Sequence, residues 1–254
     1  MERLISIDIK ADFGLLKKPD TNEPVYLTFN LIHKPALLGI FGAVLGLQGF
    51  NKQGELPEYY NKLKDLKIGI QPLEHENGNY QKTVITYNNT TGMASDEQGG
   101  NLMVSEQTLI APSFRIFLLL STENEKHQKL QEYLKEYKAE YLPYLGKNDF
   151  SLWWYHYKEY DFQPFIAKDS FSIESIFKKS EKLKGQTEEK DLFDLIKGQT
   201  GSFIYFENLP VDYQGPPLFQ YEYFPFAFTD YPLKQSYQTE NLYELDNGIK
   251  IQLF

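Results

Sequence analysis

The chain has 254 residues, no cysteine and a formal net charge of −9. The length suffices for one large domain or two smaller ones, and the missing cysteines exclude disulfides and thiolate metal sites. The acidic balance argues against a stand-alone nucleic-acid binder, whose affinity rests on neutralising phosphates. In chain order, Ile5, Ile7 and Ile9 alternate with Ser6, Asp8 and Lys10, the pattern of a half-buried strand. Arg3 runs directly into this alternation with no signal-peptide pattern, so a cytoplasmic protein is expected. Residues 12 to 30 read as a loop carrying Lys17 and Lys18.

The run from Lys34 to Phe50 is apolar all round yet holds Gly39, Gly42, Gly46 and Gly49. Pro35 suits a first helical position and Gly49 a left-handed C-terminal cap, which predicts a helix of about fifteen residues. It is too short to span a bilayer and has no apolar companion, so no membrane is expected. Its glycines invite close backbone approach, either by a packed neighbour or by a ligand. A first turn beside His33 and Lys34 is a possible phosphate site, whereas the bland alternative is a tightly packed core helix.

Leu66–Leu73, Gln81–Tyr87 and Phe114–Leu120 read as strands, and Thr122 as the cap of a helix reaching Ala139. Aromatic strand-like sequence fills Phe150–Phe165. This order predicts an α+β, ferredoxin-like (RRM-type) domain over residues 1–166, with two helices on one face of its sheet. A polar, glycine-bearing insertion over about 88–108 interrupts it. A smaller β-rich part is expected over 167–254, containing a Lys/Glu-rich helix pair at Lys178–Lys197 and a hairpin turning at Asp246-Asn247-Gly248.

Charge is uneven. Residues 1–70 hold nine Lys/Arg against eight Asp/Glu, and residues 201–254 hold two against seven. A polyanion site is therefore expected in the N-terminal part. Only Arg3 and Arg115 carry guanidinium groups, so base-specific reading by arginine is scarce. Tyr and Phe number 19 each, more rings than a lean core needs, and some are expected to face partners or bases.

The first strand followed by HKPALLGIFGAVLGLQGF resembles the N-terminal signature of the CRISPR-associated Cas-five family, of the RAMP superfamily. PYLGKNDF, residues 143–150, is similar to that family's element after the second helix. QKTVITYNN, the insertion and EQTLIAPSFRIFLLL are similar to the type I-B branch. The match covers roughly the first 165 residues. It implies a non-catalytic subunit of a type I surveillance (Cascade) complex that binds the 5′ handle of the CRISPR RNA and uses the insertion as a thumb. The implied partners are backbone subunits of the Cas-seven family, a large subunit of the Cas-eight family, and target DNA in the assembled complex.

Read physically, an RNA 5′ end needs aromatic faces and phosphate donors. Candidate RNA-binding residues are Lys10, Phe13, Lys17, Lys18, His33, Lys34, Gly39, Gly42, Lys82, Asn88, Met103, Arg115 and Lys147. Each has a structural alternative: Phe13 as a core plug, Lys17 and Lys18 as a solvated pair, Arg115 as a sheet-face residue. No cofactor or metal is expected, because no acidic cluster has Mg²⁺ spacing and no P-loop or Cys/His pattern occurs. Of the four histidines, His127 reads as exposed and His75 as part of a polar turn. His33 beside Lys34 is the one pair with a plausible catalytic setting, so the alternative is a metal-independent endoribonuclease processing precursor RNA, as in the type I-C branch. A bland interaction protein with an aromatic surface is the third reading.

Overall fold

The computed structural model describes residues 1–19, 24–89, 102–179, 192–215, 218–237 and 239–254. Its central sheet has four antiparallel strands in the order β3 (Lys67–Leu73), β6 (Ser113–Ser121), β1 (Glu2–Ala11), β7 (Leu152–Tyr160). With α1 (Lys34–Leu45) after β1 and α3 (Glu125–Lys135) after β6, this is the ferredoxin-like order. A short α2 (Glu58–Leu63) follows α1. The period-two pattern of β1 sends Ile5, Ile7 and Ile9 into the core beneath α1 and α3, and Ser6, Asp8 and Lys10 to the opposite face.

α1 buries Leu37, Leu38, Ile40, Phe41, Val44 and Leu45, each contributing about 2 kcal/mol by leaving water. It stops earlier than the sequence predicts. Gly46, at φ 74°, is the left-handed cap, and Glu140 and Tyr141 donate backbone N–H groups to the carbonyls of Val44 and Ala43. α3 is capped by Asn124, two residues beyond the expected Thr122, because the Asn124 side chain accepts from the Lys126 and His127 amides.

The third expected strand does not join the central sheet. β4 (Lys82–Asn89) pairs with β5 (Leu102–Ile110), and β5 also pairs with β2 (Phe13–Gly14), forming a separate three-stranded sheet. The insertion is thus a hairpin whose described arms start at Lys82 and end at Ile110; residues 90–101, including its expected tip, lie outside the described residues.

The C-terminal part is β-rich. β10 (Ile204–Tyr213) and β11 (Tyr221–Thr229) form a long hairpin joined by β9 (Phe177–Lys178). β8 (Phe162–Pro164), β12 (Leu242–Leu245) and β13 (Lys250–Gln252) form another sheet, turning at Gly248 as predicted. Core packing crosses residue 166. Leu209, Phe226 and Phe228 join the cluster under α1, while Leu245, Ile251 and Leu253 cover Leu4, Phe117 and Leu119 on part of the opposite sheet face. Of the expected Lys/Glu-rich helix pair, 180–191 lies outside the described residues and α4 (Leu192–Ile196) is the described helix. Among the described residues no helix is long and apolar enough to cross a membrane.

Candidate nucleic-acid interface

A groove of about 720 Å³ runs along the one stripe of α1 that is not fully buried, made by Ala36, Gly39 and Ala43. These small residues leave backbone as one wall. Leu15 and Lys17 with the 141–146 loop form a second wall, and Tyr59, Tyr213 and Tyr221 a third. Tyr141, Leu142, Tyr144 and Phe50 stand exposed around it. Among the described residues lining the groove, Lys17 is the charged one and none is a carboxylate.

The glycines divide the work. A Cβ on Gly42 would sit 2.5 Å from the Cβ of Tyr59, so this glycine lets α2 pack on α1, whereas a Cβ on Gly39 would meet the Tyr59 ring at an ordinary 3.8 Å. Gly146, at φ 85°, lies against the backbone carbonyl of Leu15. Burial raises the Tyr59 phenol, and burial first and then the neighbouring tyrosines raise Tyr213. Tyr213 and Tyr221 lie ring against ring at 5.1 Å.

The third wall reaches across the chain. Both oxygens of the Glu207 carboxylate accept backbone N–H groups, from Asn30 at 2.9 Å and Leu31 at 3.0 Å, fixing the turn that enters α1. Tyr60 hydrogen-bonds Asp212 at the far end of β10. Burial pushes the Glu207 carboxyl above its usual range.

The structure separates the candidate residues. Lys17, His33 and Gly39 meet at the groove, but His33 is an N-cap: its Nδ1 accepts from the Ala36 amide at 3.3 Å, and burial pushes its pKa down to about 3. Lys34 turns away to the Phe254 carbonyl at 3.2 Å. Lys17 and Lys18 lie over the Tyr26 and Phe29 rings, and neither forms an ion pair among the described residues. A second group gathers at the root of the hairpin. Lys147 pairs with buried Glu106 at 2.8 Å and sits over Tyr87, and Phe13 packs against Phe150. Asn88 and Met103 are cross-strand partners on that hairpin, with Met103 exposed. The remaining cations are tied elsewhere: Lys10 to Glu74, Lys82 to Asn30, and Arg115 to Asp8.

The histidines share one use. His33, His75 and His127 each accept a backbone N–H at Nδ1, from Ala36, Gly78 and Ser121, and burial lowers the pKa of all three. His127 is buried rather than exposed, because the start of α3 folds back over the end of β6. His75 packs edge-on against Phe228. His156 is the exception, exposed and facing Asp8. Among the described residues no cluster of His, Asp and Glu has the makings of a metal site.

Sequence reasoning missed Phe50, Tyr59, Tyr144, Tyr213, Tyr221 and Glu207. Their signal was the surplus of rings, which carries no address: Tyr213 and Tyr221 reach the groove only through the β10–β11 hairpin.

No protein-family model matches the sequence, and no curated protein is similar to it. Among solved structures, a CRISPR protein from Archaeoglobus fulgidus is similar at 12% identity and a TM-score of 0.50, over 99% of this chain and 98% of that one. A chain of a CRISPR RNA-guided surveillance complex is similar at 14% identity and a TM-score of 0.40, over 57% of this chain; the match spans 58% of that chain's length. A chain of the type III-B Cmr-beta complex bound to cognate target RNA and AMPPnP is similar at 10% identity and a TM-score of 0.48, over 91% and 86% of the two chains. The likeness to the Archaeoglobus protein, which runs the whole length, is one of fold.

Proposed function

We propose that the protein is a non-catalytic subunit of a type I CRISPR RNA-guided surveillance complex and that its groove holds the 5′ handle of the CRISPR RNA. The observation that carries this reading is the groove itself, with an open backbone wall on α1, neutral tyrosine faces and Lys17 as its cation. Such a site takes unstacked bases by stacking and needs few phosphate contacts, because stacking on an aromatic face contributes about 1–3 kcal/mol per base. The acidic net charge fits a subunit that shares electrostatic work with Cas-seven-family backbone subunits, in a complex that also holds a Cas-eight-family large subunit and target DNA. The resemblance of PYLGKNDF adds support, since Gly146 in that element lines the groove.

The absence of catalysis is part of the proposal. His33, His75 and His127 each spend Nδ1 on a backbone N–H, burial pushes the His33 pKa down to about 3 so that its imidazole stays neutral near neutral pH, and Lys34 turns away to the Phe254 carbonyl. Incubation of the pure protein with repeat RNA in the absence of metal separates the endoribonuclease reading, which requires cleavage.

Co-expression with candidate complex subunits should recover small RNA with a constant 5′ end. Tyr144→Ala, at an exposed position, should lower RNA retention about tenfold with little change in melting temperature. Lys17→Ala should reduce the salt slope of binding by about one unit. RNA retention indifferent to both variants would place the handle elsewhere.

A further inference from the structure

β7 carries a bulge whose consequence lies on the face of the central sheet opposite α1. Asp8 pairs with Tyr155 and Ser6 with Lys158, so His156 and Tyr157 together oppose Ile7. Before the bulge Leu152 and Trp154 face the helices; after it Tyr157 does, reaching Gln131 of α3. His156 is the extra residue, held at φ 52°, a conformation rare for a residue with a side chain. The bulge swings its imidazole over Asp8, with Nδ1 3.1 Å from Oδ2.

Asp8 is 2% exposed and holds two groups at once. Arg115 gives it a bidentate pair, Nε to Oδ1 at 2.7 Å and Nη2 to Oδ2 at 2.8 Å. A guanidinium has five N–H donors, so three remain on the edge turned away from Asp8. With Nδ1 of His156 engaged, its Nε2 is likewise left for another partner. Both groups line a cavity of about 420 Å³ together with Ser6, Lys158, Tyr160 and Asn247. Lys158 lies over the Tyr160 ring at 4.5 Å, and the Tyr160 hydroxyl is 3.0 Å from Ser6 Oγ. Among the described residues no carboxylate lines the cavity, and Asp8 behind it offsets one charge while fixing the geometry of two donors.

We propose that this cavity is a phosphate-binding site, in which Arg115, His156 and Lys158 contact the oxyanion and Asp8 is the positioning residue that aims the first two. Phosphate is the chemistry indicated because the free guanidinium edge presents parallel N–H donors that match two of its oxygens. The site does not rest on the function proposed for the groove, which lies along α1 on the other side of the sheet and shares none of these residues.

The test is calorimetric titration of the full chain with inorganic phosphate at neutral pH and low salt, and then with a six-nucleotide single-stranded RNA. Saturable phosphate binding with one site is expected. The double variant His156→Asn, Lys158→Ala should weaken it about tenfold or more, since two charge-assisted contacts are removed. Asparagine tolerates the left-handed backbone at 156, so the bulge is kept. Lys62→Ala, at an exposed position of α2 that lines neither cavity, should leave phosphate binding unchanged. RNA that displaces phosphate identifies a nucleic-acid backbone as its source; phosphate binding that RNA does not disturb identifies a small phosphorylated ligand. Absence of saturable binding, or equal binding by the double variant, overturns the proposal.

Discussion

The two long walls of the groove are built by opposite means. The α1 wall is made of small residues and braced by side chains packed on its glycines, Tyr59 on Gly42 and Glu140 on Gly46. The wall of Tyr213 and Tyr221 is made of large rings and hangs on polar contacts that cross more than 150 positions, Glu207 to the amides of Asn30 and Leu31 and Tyr60 to Asp212. The difference teaches where the site is vulnerable: the backbone wall yields to added volume, and the aromatic wall to loss of one carboxylate.

The largest expected effect comes from removing that carboxylate. Glu207→Ala leaves the amides of buried Asn30 and Leu31 without an acceptor and should cost about 3 kcal/mol in urea denaturation. It should also release the Tyr213–Tyr221 wall. A loss below about 1 kcal/mol would show that the hairpin holds its place through Leu209, Phe226 and Phe228 alone.

Next comes Gly42→Leu, which forces α2 away from α1 and should cost about 2 kcal/mol. Gly39→Ala sharpens the contrast. Its Cβ fits against the Tyr59 ring, so helix propensity should raise stability by about 0.5–1 kcal/mol while the groove narrows and RNA retention falls. Equal destabilisation by both changes would erase the distinction between the packed glycine and the open one.

These positions show what was legible in the sequence. The strand periods of Ile5, Ile7, Ile9 and of FRIFLLL, with Pro35 opening a helix between them, were enough for the ferredoxin-like order, because period and punctuation are local. That β4 leaves the central sheet was not legible. QKTVITY says strand, but its neighbour is chosen by long-range pairing with β5. The cap at Gly46 rather than Gly49 depends on residues 140 and 141 arriving at the helix end. Lys34, Lys82 and Arg115 each have an intramolecular partner, 220, 52 and 107 positions away, that no local pattern announces.

The smallest effect at neutral pH is at the junction of the two walls, where the His33 ring touches Tyr221 and its Nδ1 caps α1. Its folded-state pKa lies below the unfolded one, so the unfolded chain takes up the extra proton. The stability His33 provides is therefore complete above about pH 6.5 and is lost as pH falls toward 3, by about 1.4 kcal/mol per pH unit. His75 and His127 act in the same sense, and Glu207, raised by burial, in the opposite one. His33→Asn keeps a capping side chain and should give a curve that starts lower at pH 6.5, is flatter, and crosses above that of the unaltered chain before pH 4. A slope equal to that of the unaltered chain would assign the acid sensitivity to the other histidines.

Gly146 has an evolutionary consequence. Any β-carbon there would fall on the Leu15 carbonyl oxygen, a main-chain atom that cannot step aside, and its φ of 85° excludes relief by rotation. The neighbouring Lys147 is constrained differently, since Glu106 loses its counter-charge unless both change together. Drift through this turn thus has one frozen site and one coupled pair. Sequences diverging from this chain should keep the glycine where they exchange the lysine and the glutamate as a unit.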